Sequence, residues 1–474
     1  MTRSRSPLLL AASIFLMSAC ATAPQTPRPD ALVSTTSGTL QGASVEGVDV
    51  YRGVPFAAPP VGELRWKAPQ PMSWDGVYQA TQDKPACVQP LSKDGSPNGG
   101  GYAGPVSEDC LYMNIWAPED AENAPIMLFL FGGGGVVGAG NVPTYDGSAF
   151  ARDGVVLVTI NYRLGALAGF AHPSLTAEAS AEPSSNFHLL DAIAALEWMK
   201  ANAASFGGDA ENILLFGESA GATMTANLVA SPMTEGLFQK AIFESTGSLG
   251  APATPLALAH ERGAKLASDL GLDGAAATPE ELRALDADAI ISHRALGRGQ
   301  RTILDGEVME TAIMDTFAAG HENDVMLVVG TNSDEGRLTG TKQVAEYAED
   351  GAPVWQYFFD YVANDLREAN PNGAPHAHEL PFVFDTLEKY PRVKAKTADD
   401  QAAADLAHSC WVAFAKAPLD ATALICSDGF VWPSRNAQND HVVAVLQSTP
   451  SLKPVAEIKS PPNGAEPGPT SRDD

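Results

Sequence analysis

Continuous apolar runs bounded by turn residues are the main pattern in this chain. Pro125–Phe131, Val155–Tyr162 and Ile213–Phe216 lack the alternation of apolar and polar positions that a half-exposed strand shows. Such runs are typical of parallel strands that are buried on both faces. Gln239–Glu244 and Asp324–Gly330 are predicted to be two further strands.

Helical patterns lie between these runs. Residues 186–204 carry apolar side chains at helical spacing, namely Leu189, Leu190, Ile193, Leu196 and Met199. A capping box begins at Thr278, with Pro279 at the first helical position. The alternation of strands and helices predicts an α/β fold with a doubly wound, mostly parallel central sheet and helices on both faces. The proline-rich strands of 45–80 are expected to extend one edge of that sheet.

One strand-to-helix junction has the sequence of a nucleophile elbow. The run Ile213–Phe216 leads into Gly217-Glu218-Ser219-Ala220-Gly221, which is followed by a helical stretch. A sharp turn at this place exposes a serine hydroxyl at a helix N-terminus, where developing negative charge is stabilised. The alternative is a glycine-rich turn in which Ser219 has no chemical role. Only residues elsewhere in the chain can distinguish the two interpretations.

Composition and charge narrow the class of protein. The chain has 474 residues, 45% of them hydrophobic, and a formal net charge of −27. This acidity argues against a nucleic-acid partner. The N-terminus has a basic start, an apolar segment and Leu16-Met17-Ser18-Ala19-Cys20, which resembles a bacterial lipoprotein signal with Cys20 as the lipidated residue. Ordinary cleavage after residues 21–23 is the alternative.

These features predict a division of the chain. We expect a signal peptide over 1–20, a tether over 21–32, a single folded domain over 33–448 and a disordered tail over 449–474. Export would place the protein in the periplasm or lipid-anchored at the outer membrane, or soluble and secreted. Four cysteines remain for two disulfides, since Cys87 and Cys110 bracket one loop and Cys410 and Cys426 bracket another. Other pairings are compatible with the sequence.

A serine nucleophile needs oxyanion donors, a base and an acid, and the chain has candidates for each. The donors are predicted in the glycine run 132–134, which follows a buried strand, and at the N–H of Ala220. A late loop offers His376 and His378 as bases, and chemistry alone does not choose between them. Asp334 and Glu335 follow a predicted strand, and either of them fits the acid.

With these motifs the chain resembles the type B carboxylesterases, the family of the cholinesterases and bacterial para-nitrobenzyl esterases. The resemblance runs from about Val45 to Trp432. It rests on residues 51–66, 107–114, 132–134, 145–148, 161–165, 206–209, 217–221 and 334–336. It implies the α/β-hydrolase fold with a reduced cap region.

The resemblance also assigns the site. It implies Ser219 as nucleophile, Glu335 as acid and His376, not His378, as base. The implied oxyanion donors are Gly133, Gly134 and Ala220. It further implies a Cys87–Cys110 disulfide and an ion pair between Arg65 and Glu108. No metal or cofactor is expected.

Several positions depart from the family pattern. Phe131 stands where His is usual, Gly135 where an aromatic is common, and His188 where Gly is usual. Only 41 positions separate Glu335 from His376 (376 − 335). The region of residues 250–305 is also shorter than the family pattern implies. We therefore expect a shallower, more open site. The 87–110 loop contains no Trp, which argues against choline esters as substrates.

The sequence thus predicts a carboxylic-ester hydrolase that forms an acyl-enzyme and acts on a small-molecule ester. The rival prediction is a catalytically inactive family member that serves as a binding or adhesion protein. Hydrolysis of amides, lactones or a polyester is a third possibility that the residues do not separate from simple ester hydrolysis. The natural substrate and the oligomeric state are left open.

Overall fold

A mixed sheet of eleven strands runs through the part of the chain that the computed structural model describes, residues 31–180, 182–246, 249–293 and 302–459. The strands of this sheet and of the smaller ones are β1 (Leu32–Thr35), β2 (Gly38–Gln41), β3 (Ala43–Val45), β4 (Val48–Pro55), β5 (Val77–Gln79), β6 (Ala86–Cys87), β7 (Val106–Ser107), β8 (Tyr112–Pro118), β9 (Ala124–Leu130), β10 (Val156–Ile160), β11 (Gly208–Glu218), β12 (Lys240–Glu244), β13 (Thr254–Pro255), β14 (Ile303–Leu304), β15 (Met326–Asn332), β16 (Val354–Phe359), β17 (Ala423–Ile425), β18 (Val431–Pro433), β19 (Val442–Leu446) and β20 (Ser451–Pro454).

Helices cover both faces of the large sheet. They are α1 (Ser148–Arg152), α2 (Pro173–Ala179), α3 (Phe187–Asn202), α4 (Ala220–Ala230), α5 (Leu256–Asp269), α6 (Pro279–Arg283), α7 (Ala287–Ile291), α8 (Ile313–Ala319), α9 (Leu338–Ala348), α10 (Leu380–Val383) and α11 (Ala398–Lys416). The capping box predicted at Thr278 is present at the start of α6. No helix in the described ranges is long and apolar enough to cross a bilayer.

The middle of the sheet is parallel, as predicted. Its order is β20-β19-β16-β15-β12-β11-β9-β10-β8-β4-β3. Every neighbouring pair from β19 to β10 is parallel, whereas β8, β4 and β3 extend one edge in antiparallel fashion. The five apolar runs form β9, β10, β11, β12 and β15, which confirms that prediction. The strands β16 and β19 were not predicted; Gln356 interrupts the apolar run of β16, and β19 is only five residues long.

The end of the chain corrects one expectation. Disorder was predicted from residue 449, but β20 pairs antiparallel with β19, and Val455 and Ile458 are buried beyond it. The polar and proline-rich composition predicted disorder wrongly, because an edge strand needs only backbone hydrogen bonds and one apolar face. Residues 460–474 lie outside the described residues.

The start of the domain is also earlier than predicted. Ala31 is buried and β1 begins at Leu32, so the folded part does not begin at residue 33. The predicted signal peptide and Cys20 lie outside the described residues.

Two disulfides each close a loop of the chain. Cys87 pairs with Cys110 and Cys410 pairs with Cys426, as the sequence predicted. Disulfides of this kind are typical of an oxidising compartment. The predicted ion pair is present beside the first one, where Arg65 Nε donates to Glu108 Oε2 at 2.6 Å. The side chain of Arg65 is buried, so this pair is shielded from solvent.

An aromatic cluster under the carboxyl ends of the strands fixes the late loop of the chain. Phe384 follows α10 and packs on Phe129 of β9 and Phe216 of β11, with ring centroids 5.0 and 6.0 Å apart. All three side chains are fully buried, and burial of each is worth about 2 kcal/mol. This packing holds the segment that begins at His376 against the strand that carries the elbow.

Candidate active site

The elbow is built from a strand, one strained residue and a helix. β11 ends at Glu218 and α4 begins at Ala220. Between them Ser219 has φ 56° and ψ −116°, a conformation that a residue with a side chain rarely adopts. Its N–H donates to the carbonyl oxygen of Glu244 at 2.9 Å, which ties the strained turn to β12.

Two glycines permit this geometry. A Cβ on Gly217 would lie 2.6 Å from the backbone carbon of Gly221. A Cβ on Gly221 would overlap the carbonyl oxygen of Leu130 at the end of β9. The helix can therefore approach the sheet this closely only where side chains are absent.

The structure brings Ser219, His376 and Glu335 together. Nε2 of His376 lies 2.7 Å from Oγ of Ser219, across 157 positions of sequence. Nδ1 of His376 lies 3.3 Å from Oε1 of Glu335. The second distance is slightly longer than that of a well-formed hydrogen bond, and such contacts tighten when a substrate closes the site.

Backbone contacts hold the loop of His376 on the turn that follows β15. The N–H of Asp334 donates to the carbonyl oxygen of Ala374 at 2.9 Å, and the N–H of Ala374 donates to Oγ of Ser333 at 2.8 Å. Since Glu335 follows directly in the same turn, these bonds set the histidine and the carboxylate side by side.

The alternative candidates lie elsewhere. His378 is buried, and its Nε2 accepts a hydrogen bond from the N–H of Ala363 at 3.3 Å. Burial lowers the pKa of His378 to about 4, so its ring is neutral. Asp334 contributes its backbone to the loop contact described above. Geometry therefore favours His376 and Glu335 over the alternatives that chemistry alone had left open.

Four carboxyl groups are buried around the site, and three of them were not predicted. They belong to Glu218, Glu244, Glu335 and Glu379. Burial, together with the charges of Glu379 and Glu335, holds the pKa of Glu218 well above its usual range. Burial and the charge of Glu335 raise the pKa of Glu379 to about 8. Burial also raises the pKa of Glu244.

Neutral donors surround these carboxyls. Oε1 of Glu379 accepts from Oγ of Ser245 at 3.1 Å, and Asn332 donates to its other oxygen. Oε1 of Glu244 accepts from Nε1 of Trp411 at 2.6 Å. Glu218 and Glu379 flank Ser219 and His376 closely in sequence, and that proximity is the signal by which they could have been found.

One guanidinium lies beside this cluster. Nε of Arg337 is 3.5 Å from Oε2 of Glu335, and its Nη1 donates to the carbonyl oxygen of Ser245 at 2.7 Å. Arg337 stands two positions after Glu335, and nothing in the sequence analysis singled it out.

The glycine run after β9 turns sharply next to the elbow. Gly133, Gly134 and Gly135 all have positive φ, at 100°, 68° and 70°. Within the described residues, the N–H groups of Gly133, Gly134 and Ala220 donate to no other group. They are thus available to a ligand. Gly134 and Ala220 line a cavity together with Ser219.

The residues that depart from the family pattern have defined surroundings in the structure. Phe131 is buried and stacks on Tyr162, with ring centroids 4.2 Å apart, and the hydroxyl of Tyr162 donates to the carbonyl oxygen of Phe131. Gly135 accepts a hydrogen bond from the N–H of Gly165 at 2.7 Å. His188 lines the cavity, and burial lowers its pKa to about 4.

The cavity next to Ser219 has a volume of about 370 Å³. Its walls include apolar residues such as Met224, Leu249 and Ile313, together with Arg337. His376 lies outside this lining, and 38% of its side chain is exposed. The cavity therefore borders Ser219 without reaching His376.

Comparison with known proteins identifies the family of this chain. The model of the family described as "Carboxylesterase family" matches residues 29–348, which include Ser219 and Glu335. The chain belongs to the carboxylesterase family. This carboxylesterase is 34% identical over 454 residues to the para-nitrobenzyl esterase of Bacillus subtilis, covering 81% of its own length and 89% of that relative. It is a carboxylic-ester hydrolase.

Further relatives support the same assignment. The carboxylesterase is 40% identical over 335 residues to the fumonisin B1 esterase of Sphingopyxis macrogoltabida, covering 69% of its own length. That alignment spans 61% of the relative, less than two thirds of its length. A solved structure of a PNB esterase superimposes with a TM-score of 0.78 at 30% identity, covering 90% of this chain and 97% of that one. The predicted α/β-hydrolase fold and family are thereby confirmed.

Proposed function

We propose that this carboxylesterase cleaves small-molecule esters through a triad of Ser219, His376 and Glu335 and an acyl-enzyme intermediate. The observation that carries the proposal is the 2.7 Å contact between Nε2 of His376 and Oγ of Ser219, with Glu335 on the other ring nitrogen. This is the arrangement that activates a serine hydroxyl. The strained backbone of Ser219 supports it, because such strain recurs at functional residues.

The reaction has two halves. His376 takes the proton of Ser219 while Oγ bonds to the ester carbonyl carbon, and the carbonyl π electrons move to oxygen. When the intermediate collapses, the bond to the leaving alcohol breaks and Nε2 of His376 gives that alcohol the proton. Water then attacks the acyl-enzyme by the same steps and releases the acid. Glu335 orients the imidazole and stabilises its charged form.

The N–H groups of Gly133, Gly134 and Ala220 are the proposed oxyanion donors. Their lack of partners among the described residues supports this role, because a donor must be free to meet the charge that develops on the carbonyl oxygen. Loss of one such donor costs on the order of a hundredfold in rate.

The test is hydrolysis of p-nitrophenyl butyrate together with labelling by a fluorophosphonate. We expect wild-type protein to show both activities, and Ser219→Ala to lose labelling and all but a trace of hydrolysis. Ser268→Ala, an exposed serine of α5, is the matched control and should retain both. Equal hydrolysis by wild type and Ser219→Ala would refute the proposed nucleophile.

We also propose that the protein is exported and lipid-anchored through Cys20. The signal-like N-terminus and the two disulfides support export. Detergent partitioning of wild type and Cys20→Ser tests the anchor. The variant is expected to move to the aqueous phase, and continued partitioning into detergent would mean that Cys20 carries no lipid.

A further inference from the structure

The cavity beside Ser219 is positioned for the acyl part of the ester. Its lining includes Ser219 and the candidate oxyanion donors Gly134 and Ala220, but His376 is not part of it. In the proposed reaction the leaving alcohol receives its proton from His376, so the alcohol must lie on the histidine side. The acyl group then extends the other way, into the cavity.

Arg337 lines that cavity, and only some of the hydrogen-bond donors of its guanidinium have partners within the protein. Its Nη1 donates to the carbonyl oxygen of Ser245, and its Nε faces Glu335. Among the described residues, its Nη2 donates no hydrogen bond, and 22% of the side chain is exposed. One edge of the cation therefore remains available to a group that enters the cavity.

The other arginine in the lining has no such capacity. Nε and Nη2 of Arg163 bind the carboxylate of Asp191 at 2.7 to 3.1 Å, and its Nη1 donates to the carbonyl oxygen of Lys67. Both charges of this pair are buried and satisfied by each other. Recognition of an anion would thus fall to Arg337.

The carboxyl groups near Arg337 do not each offset its positive charge. Glu335 is the ion-pair partner within reach. Burial raises the pKa values of Glu218, Glu244 and Glu379, which favours the neutral form of each carboxyl. The cavity combines apolar walls with a few polar side chains and one cation that has an unused donor, which is how a pocket selects a ligand of opposite charge.

We infer that this cavity selects esters whose acyl chain ends in a carboxylate, that is, monoesters of dicarboxylic acids, and that Arg337 is the residue that determines this specificity. The inference rests on the proposed function, because it assigns the acyl group to the cavity by way of His376. A guanidinium binds a carboxylate through charge-assisted hydrogen bonds, which are among the stronger polar contacts in proteins.

The test compares ester pairs that differ only at the end of the acyl chain. Monoethyl succinate, glutarate and adipate are each paired with the neutral ethyl ester of equal carbon number: butanoate, pentanoate and hexanoate. Ethyl esters are used because their poor leaving group suppresses spontaneous attack by the second carboxylate. Hydrolysis is followed in a pH-stat, and the ratio of kcat/KM within each pair is the readout.

For wild-type enzyme we expect the charged ester to be preferred at one or more chain lengths. Arg337→Gln should lower the charged-to-neutral ratio by about 10- to 100-fold, mainly through KM for the charged ester, because any effect that acts through Glu335 lowers both esters alike and cancels in the ratio. Arg337→Lys should fall between the two. Lys342→Gln removes a cation from the exposed surface of the same helix and should leave the ratio unchanged.

Other outcomes would overturn the inference. If Arg337→Gln lowers hydrolysis of both esters equally, Arg337 only positions Glu335. If wild type prefers the neutral ester at every length, the cavity does not recognise a carboxylate, and this result needs no variant to fold. In either case wild-type hydrolysis that is lost in Ser219→Ala would leave the proposed function standing.

Discussion

Oε1 of Glu218 lies 3.2 Å from Nε2 of His376, the same nitrogen that contacts Ser219. A carboxyl group therefore borders the proton path of the proposed reaction. Burial and neighbouring charges hold the pKa of Glu218 well above its usual range, which favours a neutral carboxyl over an ion pair with the histidine. Glu335, on the opposite ring nitrogen, is the partner that orients it.

The two glutamates should respond differently to the same substitution. Glu218→Gln replaces one neutral group with another, so we expect kcat to stay within about tenfold of wild type. Glu335→Gln removes the orienting charge and should lower kcat by about 10³- to 10⁴-fold. Steady-state kinetics on p-nitrophenyl butyrate measures both variants. Comparable losses would show that Glu218 acts as a charge in the reaction.

Helical glycines provide a second prediction, with an internal control. Gly221→Ala in α4 introduces a Cβ that overlaps the carbonyl oxygen of Leu130, and we expect a loss of about 3 kcal/mol in unfolding free energy. Gly340→Ala in α9 meets no atom within 4 Å and should stabilise by about 0.5–1 kcal/mol. Denaturant titration of both variants measures this. A Gly221→Ala protein as stable as wild type would mean that α4 can move away from the sheet.

The buried carboxyls make stability depend on pH. In the folded state Glu379 keeps its proton up to pH about 8, whereas its ordinary value is 4.5. Between these values the unfolded chain binds fewer protons than the native one, so stability falls as pH rises. Across that window the stability contributed by Glu379 falls by about 5 kcal/mol.

Glu379→Gln tests this dependence because it retains the shape and the hydrogen-bonding ability of the protonated acid. We expect its melting temperature to fall less between pH 5 and pH 8 than that of wild type. Exposed Glu368→Gln is the control and should follow the wild-type curve. Parallel curves for wild type and Glu379→Gln would mean that Glu379 is ionised in the native protein.

The two disulfides should be separable by activity. Gln89, two positions after Cys87, accepts from the N–H of Gly138 and donates to its carbonyl oxygen, both at 2.7 Å, which links the first disulfide loop to the segment that follows the glycine run. Removal of either bridge by paired Cys→Ser substitution should cost about 2–5 kcal/mol. Loss of Cys87–Cys110 should also lower kcat/KM, whereas loss of Cys410–Cys426 should not. Equal kinetics in both variants would argue against the link through Gln89.

The sequence predicted those parts of the molecule in which local pattern and spatial role coincide. The apolar runs in β9, β10, β11, β12 and β15 are buried on both faces, so their composition indicates their place in the sheet. Ser219 and its flanking glycines likewise belong to one strand, turn and helix. The resemblance to a family was needed to choose His376 and Glu335, because both loops are short and polar and contain a second candidate.

The remaining features arise from tertiary neighbours that no local pattern reveals. Glu244 is a strand residue whose burial depends on Trp411, 167 positions away. Arg337 looks like an ordinary polar residue at the start of a helix, and its significance comes from the cavity that it lines. The strand β20 has an unremarkable polar sequence, and it is ordered because β19 offers it a partner.

That last strand has a consequence for how the protein behaves at high concentration. A chain that stopped at residue 448 would end its sheet on β19, whose five residues are all buried in the full protein. Such an apolar edge with free N–H and C=O groups is a template for pairing with other molecules. β20 replaces it with a four-residue edge that carries an exposed Lys453 and ends in Pro454, features that discourage further strand addition. We therefore expect residues 449–459 to reduce edge-to-edge aggregation relative to a chain that stops at residue 448.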